Sequence, residues 1–514
     1  MSSKKAKDYK VIFNHDGFCL YSNQSPYQDI TKPVGVAQVK GYIDEVADAG
    51  CDAVLFCPNM YYLPGWVSDH YPYWQNTGKT ITYPDTIVGK VLSRCRDFIL
   101  SGNDAIALSL AEAKKKNIDF FLTFRINECH GNEEKDENHP GLSDFYRKNP
   151  QFRMGEGDRW GEKNAFNFAH EEVRDYQFGF IEELMKKYDV DGLDIDLLRW
   201  PYLFPQSMPF DVKAPILTDF MRRIRAMLKR LGRDIPVSIR IFGYEDLNIL
   251  TGIDLATWLD EGLVDIVQLS TFYVMSSVMD MEFFRKKYPK AKFFVEFTQS
   301  TEWGKEIELS AESSRKPTRE LLRSTAASYL DRGADGISLF NFVYYRDYSF
   351  GNAKKLDRTE PEFGALRDIT DRKKLAKEAK HYYVGVNHYP ALSRVLPVTS
   401  APDKPAEVRM HIADDDMRGF SRAVVRIQTA EPYTGTIRCD KNGSTLTETL
   451  VTGELFPNPY REVVPKDHSL YHDFDIPLSL IVPGWNTFTI EAGGECTVRR
   501  MEIALYRKDG YSPK

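Results

Sequence analysis

Two aspartates stand two residues apart in a short stretch, residues 188–205, that reads YDVDGLDIDLLRWPYLFP. In an extended strand, side chains two apart share a face, so Asp194 and Asp196 point in the same direction. Buried carboxylates cost free energy, and a fold alone rarely requires them at the carboxyl end of a parallel strand. Arg199 and Trp200 follow at the exit of the strand. The stretch therefore predicts the floor of an active site.

Paired carboxyl groups are suited to cleaving a glycosidic bond. That reaction needs one protonated carboxyl for the leaving oxygen and one ionised carboxylate that attacks or activates water. Crowded carboxylates separate each other's pKa values, so one cluster can supply both forms. We predict Asp196 as one of the pair and Glu296, in an otherwise apolar strand (FFVEF), as its partner. Glu128 and Glu245 are rivals for the second role, and Asp194 either orients the pair or is a buried hydrogen-bonded carboxylate.

A repeating pattern of strands and helices from Lys10 to Val343 must position these residues. Apolar strands are predicted at 11–17, 52–59, 119–128, 191–199, 236–243, 265–273, 292–300 and 336–345. Helical patterns lie near 36–49, 103–117, 171–188, 213–231, 253–262, 279–287 and 317–332. Short buried strands separated by helices indicate parallel pairing, and eight of them close a (β/α)8 TIM barrel. Catalytic residues of such barrels lie at the carboxyl ends of the strands.

The carboxyl ends of these strands carry further side chains that we predict to contact a substrate. They are His15, Asp16, Arg125, Asn127, His130, Arg199, Trp200, Arg240, Tyr273 and Asn341. The arginines either pair with the carboxylates or bind the carboxylate or sulfate of an acidic sugar. The two histidines either contact substrate or are loop residues whose hydrogen bonds are satisfied within the protein.

The long loop after the second strand is rich in aromatic residues, among them Trp66 and Trp74. Aromatic faces stack against the C–H faces of sugar rings, which favours a carbohydrate-binding cleft. The same rings could instead pack the loop onto the barrel. The loop after the third strand is also long, and both loops belong to the catalytic face of such a barrel. We therefore predict a carbohydrate substrate, and an acidic one remains open.

The pattern changes after residue 374. The remaining sequence offers only segments with period-2 alternation, separated by turn signals such as Lys441-Asn442-Gly443 and Pro483-Gly484. We assign residues 1–374 to the catalytic barrel and residues 375–514 to an antiparallel β-sandwich. The segment PLSLIVPGWNTFTIEAG resembles the paired strands that end jelly-roll modules attached to glycosidases. This domain either braces the barrel or binds sugar.

Composition excludes several classes of function. A net charge of −6 over 514 residues argues against a nucleic-acid or membrane-surface role. No apolar run approaches the roughly 18–20 residues of a membrane span. The N-terminal residues lack a signal-peptide core, so we expect a cytoplasmic location. We expect no cofactor, because neither a GxxxxGKS/T loop nor a GxGxxG motif after a strand is present.

The stretch DGLDIDLL resembles the fourth-strand signature of family-18 glycoside hydrolases, Asp-Gly-x-Asp-x-Asp-x-Glu, except that Leu198 replaces the acidic glutamate of that family. A longer match is to the family-10-like glycosyl hydrolase domains of bacteria. It includes the helix end YxVDG, the inward aspartate, the aromatic-proline exit, and the segments NPQFR…NFAHEEVRDY and WLDEGLVDIVQLSTFY. This resemblance implies a carbohydrate-active hydrolase with Asp196 as its catalytic carboxylate.

We therefore predict a glycoside hydrolase that acts on a poly- or oligosaccharide, and two alternatives stay open. Because Leu198 replaces the family-18 acid, the barrel could bind carbohydrate without cleaving it. A metal-dependent hydrolase or lyase could hold a divalent ion with His15, Asp16, His130 and Asp194. The hydrolase hypothesis expects Asp196 to face a sugar-sized space. It is contradicted if Asp196 lies beneath the barrel mouth, neutralised by an arginine, with no space above it.

Overall fold

A computed structural model describes residues 7–22, 24–26, 32–76, 86–130, 139–157, 162–302, 315–346, 360–387, 389–458 and 468–511. Residues 77–85 and 131–138, in the two loops predicted to contact substrate, lie outside these ranges. Within them, no helix combines the length and the apolar character needed to cross a bilayer.

The chain forms two compact units. The first comprises Met1–Phe272, Phe284–Glu296 and Ser338–Pro361, and the second comprises Tyr273–Phe283, Phe297–Ile337 and Glu362–Lys514. The sequence-based boundary after residue 374 stays a prediction.

Eight strands close into a barrel. They are β1 (Val11–Asp16), β2 (Ala53–Cys57), β3 (Asp119–Arg125), β4 (Gly192–Asp196), β5 (Val237–Phe242), β6 (Ile266–Ser270), β7 (Lys292–Thr298) and β8 (Gly336–Phe340). Neighbours from β1 through β7 pair in parallel, and β8 lies between β7 and β1. The predicted (β/α)8 barrel is confirmed.

Helices separate the strands, as the periodicity predicts. The predicted ones form at Val36–Asp48, Ala105–Lys116, Glu171–Lys187, Phe210–Arg230, Leu255–Asp260, Met281–Lys287 and Arg319–Asp331. Further helices lie at Tyr73–Asn76, Ile87–Leu100, Asp144–Lys148, Glu245–Thr251, Phe363–Leu366 and Arg372–Leu375. The helix Ile87–Leu100 was not predicted, although Thr86 caps it by accepting a hydrogen bond from the amide of Gly89.

The interior of the barrel changes character along its axis. The amino-terminal layer is apolar and contains Ile12, Leu55, Phe121, Ile266 and Phe294. Towards the carboxyl ends the inward side chains become polar, because alternation brings residues such as Asp194 and then Asp196 to the same face. This change places ionisable groups at the end of the barrel where catalytic residues are found.

The second unit contains two antiparallel sheets. One comprises Lys380–Gly385, Val398–Ser400, Phe420–Thr429, Thr447–Thr449, Tyr471–Asp475 and Cys496–Arg507, and the other comprises Ala406–Ile412, Ile437–Lys441, Ser444–Thr445 and Gly484–Ala492. Alternate residues of both sheets share one hydrophobic core, with Val408 and Phe488 from one sheet and Val425 and Ile503 from the other. The predicted C-terminal antiparallel β-sandwich is confirmed.

Candidate active site

Strand register brings three charged residues into one row. Arg125 of β3 pairs with Asp196 of β4, and Asp196 pairs with Arg240 of β5. Residues in one row of a parallel sheet point to the same face, which here is the barrel interior. Asp16 of β1 and Glu296 of β7 join them from other strands. None of the five residues is more than 5% exposed.

Arg240 lies at the centre of this group. Its Nη1 donates to Asp196 Oδ1 at 3.2 Å, and its Nη2 donates to Glu296 Oε1 at 2.8 Å. Its Nε donates to the other oxygen of Glu296. The guanidinium lies 3.7 Å from the ring centre of Phe340. Burial acts to lower the pKa of Arg240, but the carboxylates of Glu296 and Asp196 raise it above its ordinary value.

The two oxygens of Asp196 have different surroundings. Oδ1 accepts from the backbone amides of Leu198 at 3.0 Å and Arg199 at 2.8 Å, in addition to Arg240. Oδ2 lies 3.4 Å from Arg240 Nη1 and 3.9 Å from Arg125 Nε. The backbone turn after β4 therefore fixes the side-chain rotamer through one oxygen and leaves the other more weakly bound.

The arginine pairing of Asp196 meets one part of the stated contradiction. The hydrolase hypothesis fails if Asp196 is both neutralised by an arginine and without space above it, and the structure places guanidinium groups on both sides of the carboxylate. The sequence left open whether Arg125 and Arg240 pair with carboxylates or bind an acidic sugar, and the structure shows pairing for both. Strand register explains this outcome, because it sets arginines on both strands that flank β4.

Glu296 is held by three donors. Ser270 Oγ donates to its Oε1 at 2.5 Å, and Arg240 binds both of its oxygens. Burial raises the pKa of Glu296, while Arg240 and Ser270 act to lower it. Both oxygens of the predicted partner of Asp196 are thus engaged by protein groups.

Asp16 and Arg125 form a second pair at the same level. Asp16 Oδ2 lies 3.1 Å from Arg125 Nη2 and accepts from the Tyr344 hydroxyl at 3.0 Å, while its Oδ1 caps the amide of Phe18. Burial acts to raise the pKa of Asp16, but Arg125 and Arg199 hold it below its ordinary value.

Glu128, His130 and Arg199 form a chain at the end of β3 and β4. Glu128 Oε1 accepts from the amides of residues 129 and 130 at 2.9 Å and binds His130 Nδ1. Arg199 Nη2 lies 2.7 Å from His130 Nε2, so Nε2 accepts and Nδ1 carries the proton. Burial lowers the pKa of His130. Burial acts to raise the pKa of Glu128, but His130 and Arg199 hold it below its ordinary value.

Trp200 lies beside this chain and is itself buried. The Arg199 guanidinium lies 4.5 Å from its ring centre, and the His130 ring meets it edge-on at 5.1 Å. The structure therefore brings Glu128, His130, Arg199 and Trp200 together, as the sequence predicted for a shared rim. Their roles toward a substrate stay predictions.

Asp194 lies one layer below Asp196 and is fully buried. Thr123 Oγ1 donates to it at 2.5 Å and Gln268 Nε2 at 2.7 Å. Burial raises the pKa of Asp194 to about 7. This placement agrees with the reading of a buried hydrogen-bonded carboxylate, and it does not support a direct catalytic role.

His15 corrects an expectation. It alternates with Asp16 along β1, so its ring faces outward and lies 4.2 Å from Tyr42 and 6.0 Å from Phe56. Burial lowers the pKa of His15 to about 3. His15 is therefore a packed neutral residue and does not bind substrate. It also does not join Asp16 in a metal site, and no metal-binding group of three or more His, Cys, Asp or Glu occurs in the described ranges.

Trp66 and Trp74 pack the loop after β2, which is the alternative that the sequence left open for these rings. Both indoles are buried. Trp66 Nε1 donates to Glu183 Oε2 at 3.4 Å, and Trp74 Nε1 donates to the Pro64 carbonyl at 2.5 Å. A nearby cavity of about 20 Å³, lined by Arg125 and Glu128 among others, has room for water but not for a sugar ring.

The remaining candidates divide between structural and open roles. Asn127 donates to the carbonyls of Phe166 and Tyr202, so it ties loops together and does not face a substrate. Asn341 is buried with φ 52°, and its amide atoms have no hydrogen-bond partner among the described residues. Glu245 pairs with Lys287 and is thereby a weaker rival for the second carboxyl role.

Tyr273 belongs to the second compact unit. Its carbonyl accepts from Thr298 Oγ1 at 2.8 Å within that unit. Its predicted substrate contact stays a prediction.

One site residue was missed from the sequence. Phe340 points inward at the end of β8, and its ring centre lies 5.8 Å from the Arg125 guanidinium and 3.7 Å from that of Arg240. The signal was available, because Phe340 stands two residues after Ser338, which also faces inward and donates to Gln268.

No family model matches the chain. No curated protein matches it either. Solved structures with similar folds include an endo-β-1,4-mannanase from Thermotoga petrophila, which is 12% identical with a TM-score of 0.44 over 98% of this chain and 99% of that chain. Another is an α-L-fucosidase from Bacteroides thetaiotaomicron, 12% identical with a TM-score of 0.38 over 97% of this chain and 94% of that chain. Likeness at this level carries no argument about activity.

Proposed function

We propose that the chain is a glycoside hydrolase that cleaves a poly- or oligosaccharide, with Asp196 as its reacting carboxylate. The observation that carries the proposal is the fixed Asp196 side chain at the carboxyl end of β4. Two backbone amides and Arg240 hold its Oδ1, and Oδ2 is left with contacts of 3.4 Å and 3.9 Å. Preorganised carboxylates of this kind are what glycosidic cleavage requires.

The charged residues around Asp196 favour a catalytic centre over a purely structural role. Interiors of TIM barrels are usually filled by branched apolar side chains. Buried ion pairs add little net stability compared with apolar residues of similar volume. Charged residues from five strands nevertheless meet at the catalytic end of this barrel. Such a concentration of ionisable groups is typical of a catalytic centre.

A barrel that binds carbohydrate without cleaving it is the second candidate. The observation that favours it is Arg240, which bonds to both Asp196 and Glu296, the predicted catalytic pair. In addition, Leu198 replaces the acid of the family-18 motif, and its backbone amide is what contacts Asp196. In this interpretation the charged residues stabilise the barrel, and the carboxyl ends of its strands provide a binding surface.

The test is a panel of neutral and acidic oligo- and polysaccharides incubated with the full chain. Mass spectrometry detects released products, and calorimetry detects binding. We expect the wild type to release shorter sugars, and Asp196→Asn to bind the same glycan and lose cleavage by roughly 10²- to 10⁴-fold. Asp219→Asn, an exposed residue of the helix Phe210–Arg230, is the control and should keep the wild-type rate.

The other outcomes separate the candidates. Tight binding by the wild type without product release across the panel favours the binding barrel. Cleavage that Asp196→Asn retains at the wild-type rate contradicts the assignment of Asp196.

A further inference from the structure

We infer that Glu296 is a positioning residue that acts on Asp196 through Arg240, and is neither the proton donor nor the nucleophile of the reaction. The inference rests on the proposed function and deepens it, because it changes the role of the predicted second carboxyl. It follows from how the oxygens of Glu296 and Asp196 are occupied.

Both oxygens of Glu296 are engaged by protein donors, and the residue is only 1% exposed. Its Oε1 accepts from Arg240 Nη2 at 2.8 Å and from Ser270 Oγ at 2.5 Å. Its Oε2 accepts from Arg240 Nε. A bidentate arginine pair of this kind is strong and geometrically specific. A nucleophile or proton donor must instead present an oxygen within hydrogen-bond reach of the reacting atoms.

The N–H groups of Arg240 also have protein partners, so this residue holds Asp196 in position and does not bind substrate. Beyond its two carboxylate partners, its Nη2 lies 3.3 Å from Ser270 Oγ and 3.2 Å from the Phe272 carbonyl. The ring of Phe340 covers one face of the guanidinium at 3.7 Å. The residue is fully buried. Glu296 therefore sets the plane of the guanidinium, and Nη1 of that plane contacts Asp196.

Asp196 differs from Glu296 because one of its two carboxylate oxygens, Oδ2, is held less tightly by protein donors. Its Oδ1 is bound by two amides and Arg240, but its Oδ2 accepts no hydrogen bond shorter than 3.4 Å from the described residues. The series of hydrogen bonds that runs from Ser270 and Glu296 through Arg240 ends at the Asp196 carboxylate. Its effect is to fix where Oδ2 points.

Loss of the Glu296 charge should therefore misplace Asp196 without removing a reacting group. In Glu296→Gln, an NH₂ group faces a guanidinium that has only donors, so the bidentate pair cannot form. We expect kcat to fall roughly 100-fold, the size of effect that a misplaced catalytic group produces. We expect KM to stay within about twofold, because Glu296 does not touch substrate.

The first experiment compares two aryl glycosides of the cleaved sugar, one with a good leaving group and one with a poor leaving group. For a positioning residue, Glu296→Gln slows both by the same factor, and the shape of the pH profile is unchanged. A proton donor would show nearly normal cleavage of the good leaving group and loss of the basic limb of the profile. A nucleophile would show rescue of Glu296→Ala by azide with a glycosyl azide product. Either signature overturns the inference.

Two further variants guard against a failure to fold. Ser270→Ala removes one donor to Glu296 and should show the same pattern with a smaller loss. Glu172→Gln removes an exposed carboxylate of the helix Glu171–Lys187, outside this series of contacts, and it should leave both rates unchanged. Thermal unfolding of each variant confirms that the protein is folded.

Crystal structures of the wild type and Glu296→Gln provide a readout that needs no activity. We expect the Arg240 guanidinium to turn and the Asp196 carboxylate to move with it. An Asp196–Arg240 contact that is unchanged in the variant overturns the inference. If the wild type cleaves no glycan, the proposed function fails, and the structural comparison still decides whether Glu296 positions Asp196.

Discussion

Each compact unit contains a buried arginine paired with carboxylate, and the two pairs differ in how they are completed. In the β-sandwich, Arg426 binds both oxygens of Asp473 at 2.7 Å and 2.9 Å, and the amide of Val451 donates to the same carboxylate. In the barrel, Arg240 is shared between Glu296 and Asp196, and Asp196 Oδ2 has only longer contacts. Burial is nearly complete in both places.

A buried ion pair therefore does not by itself identify a functional site. The hydrogen-bonding groups of Arg426 and Asp473 are satisfied, because the two side chains bond to each other and neighbouring backbone groups bond to both of them. In the barrel group one carboxylate oxygen, Asp196 Oδ2, has only contacts of 3.4 Å and 3.9 Å, at the end of the fold where substrates bind. We therefore assign stability to the first pair and chemistry to the second.

Removal of Asp473 should produce the largest loss of stability. Asp473→Ala leaves Arg426 buried without its counter-ion, which costs about 3–5 kcal/mol of unfolding free energy. Urea denaturation followed by a probe of the second unit measures this loss. Sugar cleavage by the folded variant should stay at the wild-type rate. A variant that keeps its stability and loses activity would contradict the distinction between the two pairs.

The second prediction concerns Asp194, whose carboxyl group accepts hydrogen bonds from Thr123 and Gln268. Burial raises the pKa of Asp194 to about 7, so the folded state holds a proton that the unfolded state has released between about pH 4 and pH 7. The unfolding free energy of the wild type should therefore fall with rising pH in that window. The fall relative to Asp194→Asn should reach about 4 kcal/mol.

Denaturation of both proteins at pH 4, 5, 6 and 7 measures this difference. Parallel curves for wild type and variant would show that Asp194 does not hold an extra proton in the folded barrel.

The smallest expected effect concerns the aromatic loop. Trp66→Phe removes the hydrogen bond from Nε1 to Glu183 and keeps most of the ring, so we expect a loss of about 0.5–1.5 kcal/mol of unfolding free energy. KM for the cleaved sugar should not change, because the ring is buried. Thermal unfolding and initial-rate kinetics measure the two quantities. A marked rise in KM with unchanged stability would show that Trp66 contacts the substrate.

The sequence predicted the fold well because its signals are local. Alternating strands and helices indicated the barrel, and period-2 segments indicated the sandwich. Alternation also placed Asp194 and Asp196 on one face. The phase of β1 could have excluded His15, which stands next to Asp16 and therefore faces the other way.

The pairing within the site could not be predicted in the same way. Asp196 meets Arg125 and Arg240 because of the register between β3, β4 and β5, which no single segment encodes. The buried Trp66 indole contacts Glu183, which lies more than a hundred residues further along the chain. Such long-range contacts decide whether a polar or aromatic residue is free for a substrate.

The most direct test of the account compares Asp196→Asn with Asp194→Asn on a glycan that the wild type cleaves. The two residues share a strand face and undergo the same change, but only Asp196 has a carboxylate oxygen that accepts no hydrogen bond shorter than 3.4 Å from the described residues. We predict that Asp196→Asn lowers kcat by roughly 10²- to 10⁴-fold, and that Asp194→Asn lowers it by less than about tenfold. Equal losses in both variants, or no loss in Asp196→Asn, would contradict the account.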